Sequence, residues 1–325
     1  MIHPHGQQLS LMPLTSLQKV VPEHAGMMIP LRRCHAPLQI LLFSFVLFFV
    51  ALVYYITIDQ QQLTTLMVYV PGMRGNVVTE RVLTEKTLVG VAQDDPALVN
   101  YIRHHLLHPP SRQPYNLSNP AAQHFSQLGQ SSYADSEVLH GMTGGFFVEV
   151  GAVDGEFLSN TLFFERNRNW TGLLIEAFPQ TYQDLLQKHR KAYTVNTALA
   201  IGNVSAEIHF ASTGVKGVLG QISKNSSLTY KTKALPFYSI LLALNVTQID
   251  FFSLDIEGSE MKVLRTIPWD KIKIRLMCVE INHIPEGFQT LLEFMKKQGY
   301  KFLGIRSIDA WFGWPALLNQ TMNIG

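Results

Sequence analysis

Charge is scarce in this chain. Of 325 residues only 15% are Asp, Glu, Lys or Arg, against roughly 25% in an ordinary soluble protein. The formal net charge is +2. Nucleic-acid binding requires many Lys and Arg contacts to phosphate, and a near-neutral balance excludes a broad footprint of that kind. Cysteine is scarcer still, with only Cys34 and Cys278. No disulfide framework follows from two distant cysteines, so a chain of this size rests on its own hydrophobic core. No internal repeat is present, and no G-x-G-x-x-G fingerprint for a dinucleotide occurs. His104 and His108 are four apart without a partner carboxylate or cysteine, and no metal site is read there.

What is present begins with an uncharged run, "LQILLFSFVLFFVALVYYITI", over residues 38–58. At about 1.5 Å per helical residue, its 21 residues reach roughly the 30 Å of a bilayer core. The run is too long for the apolar region of a secretory signal and lacks a small-residue cleavage site, so it predicts an uncleaved anchor held in membrane lipid. Arg32 and Arg33 precede it and Asp59 follows, which places the N-terminus in the cytosol and the rest of the chain in the lumen or outside. Cys34 and Cys278 then lie on opposite sides of the membrane. Six Asn-x-Ser/Thr acceptors, Asn116, Asn169, Asn203, Asn225, Asn245 and Asn319, all follow the run and agree with that orientation. The expected organisation is a disordered cytosolic tail over 1–37, an anchor over 38–58, a stem over 59–93, a helical lead-in over 94–140 and a folded domain over 141–325.

Within the lead-in, "DDPALVNYIRHHLLHPP" opens on carboxylates and Pro96 and stops at Pro109, which predicts one amphipathic helix. From Gly144 onward, apolar runs of strand length alternate with helical patterns, as repeated βαβ units require. "FFVEV", "TGLLIEAF", "AYTVNTALA", "IDFFSLDI", "IRLMCVEI" and "YKFLGI" read as six strands, with a short last strand near "DAWF". "SAEIHFAS" reads as an added edge strand and the polar tract from Thr213 to Lys233 as a loop. The fold class is therefore α/β, a Rossmann-like seven-stranded sheet. Trp311 and Trp314 read as core.

Ligands of open α/β sheets bind outside the carboxyl ends of the strands where strand order reverses. Here those ends carry acid: Glu149, Glu176, Asp255 with Glu257, and Glu280. An unpaired buried carboxylate is costly, so such a rim points to a ligand. The loop Gly151-Ala152-Val153-Asp154-Gly155 is flanked by anions and would repel phosphate. S-adenosylmethionine carries no phosphate and presents an ammonium, a sulfonium and a ribose diol, which suit acidic neighbours. Glu149 is expected to hold its amino end, Gly151 and Gly155 to let backbone approach, and Glu176, 25 residues after Gly151, to accept both ribose hydroxyls.

"VEVGAVDG", "LLIEAFP", "VNTALA", "FFSLDIEGSE" and "CVEIN" resemble, in order and spacing, the FkbM family of S-adenosylmethionine-dependent methyltransferases. The resemblance covers Phe146 to about Phe312. It implies a methyltransferase fold with cofactor residues at Glu149, Gly151, Asp154, Gly155, Glu176 and the adenine-side segment Asn196 to Ala198. Asp255, Glu257 and Gly258 would lie beside the methyl group. In an O-methyltransferase of this kind Asp255 is the expected general base, with Glu257 or Glu280 orienting the acceptor. The apolar run, "DDPALVNYIRHHLLHPPSRQPYNL" and "FVEVGAVDGEFLSNT" are similar to a Star-type group of secretory-pathway membrane proteins. That likeness implies a type II membrane protein, resident in endoplasmic reticulum, Golgi, late endosome or plasma membrane, that helps growth-factor precursors travel as protein cargo.

Overall fold

The computed structural model describes residues 65–66, 80–213, 219–222, 230–316 and 318. The expected tail (1–37) and anchor (38–58) lie outside the described residues, as do Cys34, Asn225 and Asn319. No helix among the described residues is long and apolar enough to cross a membrane.

The central sheet has seven strands: β1 (Phe146–Val150), β2 (Thr171–Glu176), β3 (Tyr193–Asn196), β8 (Gln248–Leu254), β9 (Lys273–Glu280), β10 (Lys301–Arg306) and β11 (Asp309–Gly313). A second sheet holds β4 (Ala198–Leu199), β5 (Ala206–Thr213), β6 (Leu219–Ile222) and β7 (Tyr230–Leu235). Spatial order in the central sheet is β10-β11-β9-β8-β1-β2-β3, with only β11 antiparallel to its neighbours. Strand order reverses between β1 and β8. Their carboxyl ends therefore flank the crevice where open sheets bind ligands.

Register assigns each side chain to a face. Val148 pairs with Phe252 and Leu173, and Val150 with Leu254 and Ile175. These belong to one apolar cluster with α1 (Pro96–Tyr101), α5 (Phe237–Ala243), α6 (Glu260–Leu264) and α7 (Phe288–Lys297). Phe147, Phe251, Leu276 and Trp311 face the other way, against Tyr133 of α2 (Gln130–Tyr133), Phe163 and Phe164 of α3 (Leu162–Asn167) and Tyr182 and Leu185 of α4 (Pro179–Gln187). Burial on both faces explains why the central strands read as unbroken apolar runs. Trp311 is 1% exposed and stacks on Phe251 at 6.0 Å, while Trp314 packs on Tyr300 at 5.1 Å.

Five local expectations are revised. The lead-in helix starts as its caps indicate, with Asp95 accepting a hydrogen bond from Ala97 N at 2.8 Å and Pro96 at its first position. It then widens into a π turn over Ile102–Leu106, where Leu107 N reaches back to Ile102 O at 3.0 Å. The third strand run breaks at Thr197, and β4 leaves for the second sheet. "SAEIHFAS" joins that second sheet as β5 and does not edge the central one. The tract read as loop contains β6 and most of β7. In β7, Lys231 and Lys233 alternate with Thr232 and Ala234, a period of two that its polarity hid. Finally, Leu83, Leu88 and Val91, in the stretch expected as a stem, are buried in the cluster that covers α1 and α5. Backbone bonds from Gly90 N to Ser205 O at 2.8 Å and from Gln93 N to Asn203 O at 2.9 Å hold them there.

Candidate functional site

A pocket opens at the carboxyl ends of β1, β2 and β8, lined by Glu149, Gly151, Glu176, Asp255 and Glu257 among others. Of the residues expected for a ligand, Ala198 also lines it, whereas Asp154, Gly155, Asn196 and Glu280 do not.

The loop after β1 makes the floor. Gly151 has φ +84, Val153 +48 and Gly155 +78. A Cβ on Gly151 would sit 2.1 Å from Asp255 O, so glycine is required both for the left-handed backbone and for contact with the end of β8. Val153 N donates to Glu176 Oε2 at 2.8 Å, which ties the loop to β2. Asp154 is turned into the loop itself, its Oδ1 accepting from Glu156 N at 3.0 Å and Phe157 N at 2.6 Å. It shapes the turn rather than facing the pocket. Gly155 stands against Leu185 and Arg190, behind the floor.

Glu149 lies in the pocket wall, 4% exposed, but its own chain already occupies it. Oε1 accepts from Asn160 N at 2.6 Å, and Oε2 from Ser159 Oγ at 2.9 Å and Thr161 Oγ1 at 2.5 Å. Burial pushes its pKa up, opposed by the nearby Arg190 and these three donors. Glu176 is similarly engaged by Val153 N, Phe178 N at 2.7 Å and Thr181 Oγ1 at 3.0 Å. Asn196 is exposed; its Nδ2 donates to Glu176 O at 2.9 Å, while its neighbours Thr197, Ala198 and Leu199 form the wall.

Burial raises the pKa of Glu176 to about 7. In the unfolded chain it ionises near 4.5, so between about 4.5 and 7 the folded state holds the extra proton. Stability from this group is complete below the lower value and is lost as pH rises through the upper one, by about 3 kcal/mol at roughly 1.4 kcal/mol per pH unit. Urea unfolding from pH 4.5 to 7.5 should show that decline, and Glu176→Gln should flatten it. An unchanged slope in the variant would place the titration elsewhere.

Asp255 differs from both. No hydrogen bond or ion pair reaches its carboxyl among the described residues, and it opens on the pocket. Burial, with Glu257, Glu280, Glu260 and Asp309 around it, drives its pKa well up. Glu257 approaches His283 Nδ1 at 2.6 Å, and Glu280 lies 3.5 Å from the same nitrogen. Glu280 Oε1 accepts from Asn282 N at 2.8 Å, so this carboxylate sits beneath the rim, away from the pocket. Glu260, at the start of α6, fastens the preceding turn, its carboxylate accepting from Ile256 N at 2.9 Å and Gly258 N at 3.1 Å.

Gln127, Gln130, Asn160 and Ser253 also line the pocket, beyond the residues expected from the sequence. A signal existed for two of them. Ser253 interrupts the apolar run "IDFFSLDI", and Asn160 follows the glycine loop in "LSNT". Gln127 and Gln130 come from the lead-in, where only tertiary packing reveals them; Gln130 is anchored by Asp309 Oδ2 at 2.9 Å.

No curated protein matches the chain. Among solved structures it resembles a methyltransferase FkbM from Methylobacillus flagellatus, with 15% identity and a TM-score of 0.36, over 53% of this chain and 44% of that one. The chain thus spans less than half of that protein's length. It also resembles M. capricolum TrmK in complex with S-adenosylhomocysteine, at 10% identity and TM-score 0.32, over 59% of this chain and 70% of that one. A TehB-like SAM-dependent methyltransferase from Corynebacterium glutamicum is similar at 12% identity and TM-score 0.33, over 58% and 89%. Likenesses this remote say nothing about activity. The sheet is that of an α/β methyltransferase-like fold, and residues 149–302, from the acid of β1 into the β10–β11 hairpin, match the methyltransferase FkbM domain.

Proposed function

We propose that the pocket binds S-adenosylmethionine and that the chain transfers its methyl group to an oxygen acceptor. The observation that carries this reading is Asp255, a carboxyl without a hydrogen-bond or ion-pair partner among the described residues, in the wall of a switch-point pocket rich in acceptors. The bound cofactor would supply a methyl group activated on a positively charged sulfur. Asp255 and Glu257 favour that charge electrostatically and, once ionised, offer a base for the acceptor proton. The floor of Gly151 and Val153 admits close approach, and Thr197 to Leu199 offer an uncharged wall for a base. No Lys or Arg among the described residues lines the pocket to receive a phosphate-bearing ligand.

Calorimetry on the full-length chain tests the reading. S-adenosylmethionine should bind in the micromolar range. Because its positive charge favours the ionised form of Asp255, whose pKa burial raises, binding should release a proton and tighten as pH rises. Absence of binding at high micromolar ligand would dispose of the proposal.

A second reading is supported by the exposure of all four described acceptor asparagines, Asn116, Asn169, Asn203 and Asn245. It takes the domain as the lumenal part of a type II membrane protein, anchored through residues 38–58. There it serves transport of growth-factor precursors between endoplasmic reticulum, Golgi and endosomes, as the Star-type likeness implies. Glycosidase treatment of the protein from secretory cells should then increase its gel mobility; an unshifted band would argue for the opposite orientation.

A further inference from the structure

Two pocket-lining polar atoms are buried without a hydrogen-bond partner among the described residues, Asn160 Oδ1 and Glu257 Oε2, and of these Glu257 Oε2 stands 2.6 Å from His283 Nδ1 whereas Asn160 Oδ1 has no charged neighbour of that kind. The rest of Asn160 is tightly held. Its backbone N donates to Glu149 Oε1 at 2.6 Å and its Nδ2 to Ser253 Oγ at 2.9 Å, so β1 holds its backbone and β8 its side-chain amide. A buried acceptor without a donor is costly, and a ligand N–H placed there would recover that cost. The same wall carries Asp255 and Glu257, so a group entering it is favoured when it brings positive charge. Glu149, by contrast, already accepts three hydrogen bonds, out of about four that a carboxylate can take.

We infer that Asn160 is the specificity residue for an amino or ammonium group on the bound ligand, and that Glu149 acts as a positioning residue that holds Asn160 in place. The inference rests on the S-adenosylmethionine reading and changes which side chain touches the amino end. Ser159 and Thr161 complete the support by tethering Glu149 Oε2.

The test compares S-adenosylhomocysteine with its desamino analogue, both by calorimetry on the full-length chain. Asn160→Ala should weaken S-adenosylhomocysteine at least about tenfold, the value of a hydrogen bond to a charged group, and leave the desamino analogue within about twofold of the unaltered chain. Ser253→Ala, which frees the amide without removing it, should give a smaller loss of the same selectivity and covers the case in which Asn160→Ala fails to fold. Equal losses for both ligands, or none for either, would overturn the inference while leaving the cofactor reading standing. Failure of the unaltered chain to bind S-adenosylhomocysteine at all would overturn both.

Discussion

Gly151→Ala should lose about 2–5 kcal/mol of stability, with thermal unfolding falling by roughly 4–20 °C for a domain of this size. Two costs add. A non-glycine residue at φ +84 is disfavoured by about 1–2 kcal/mol, and forcing atoms into a filled space costs about 1–3 kcal/mol more. The overlap is severe because the new Cβ would lie 2.1 Å from Asp255 O, a backbone atom that cannot swing aside. Asp255 N is itself bonded to Val150 O at 3.2 Å, so relief would require β1 and β8 to separate. That separation is the mouth of the pocket, and ligand binding should disappear with it. Gly202→Ala is the control: nothing lies within 4 Å of its Cβ position, and its effect should stay within about 0.5 kcal/mol. Similar melting curves for the two variants would refute this account of the floor.

Arg190→Leu should be as damaging, by about 3–5 kcal/mol, for an electrostatic reason. Arg190 Nε lies 3.0 Å from Glu165 Oε2, with side chains 1% and 0% exposed. Its other nitrogens donate to Gly155 O and to Thr161 Oγ1, so one guanidinium supports the loop, the base of α3 and the surroundings of Glu149. Removing it leaves Glu165 in the interior without a cation, held by Lys191 N at 2.6 Å and the Tyr115 hydroxyl. The penalty belongs mostly to that orphaned charge. Arg190→Leu combined with Glu165→Gln should therefore recover about 2 kcal/mol relative to Arg190→Leu alone in urea unfolding. A double variant no more stable than the single would mean that the guanidinium acts through packing alone.

The parts of this molecule that were legible in the sequence are those written in local pattern. Unbroken apolar runs such as "FFVEV" and "IRLMCVEI" announce strands covered on both faces, and acid at their ends marks the rim. Gly151 was legible because only glycine suits such a turn. What sequence could not show is where a carboxylate spends its lone pairs. Glu149 and Glu176 look like ligand-binding acids, yet the backbone and hydroxyl donors that engage them come from residues 153, 159–161, 178 and 181, whose convergence depends on how the chain folds back. Asp255 and Glu280 read alike as strand-end acids; a turn through Asn282 draws one beneath the rim and leaves the other open. Arg190 and Glu165 are 25 residues apart and nothing between them hints at a pair.

The packing of Leu83, Leu88 and Val91 bears on how the protein can be produced. A fragment started at the edge of the matched family segment, or at residue 141, would discard α1 and the strand-like stretch bonded to Ser205. Phe237, Ile240 and Leu241 would then face water, inviting aggregation in the expression host. A soluble preparation should begin near residue 80, so that the polypeptide keeps the apolar cover it folds beneath.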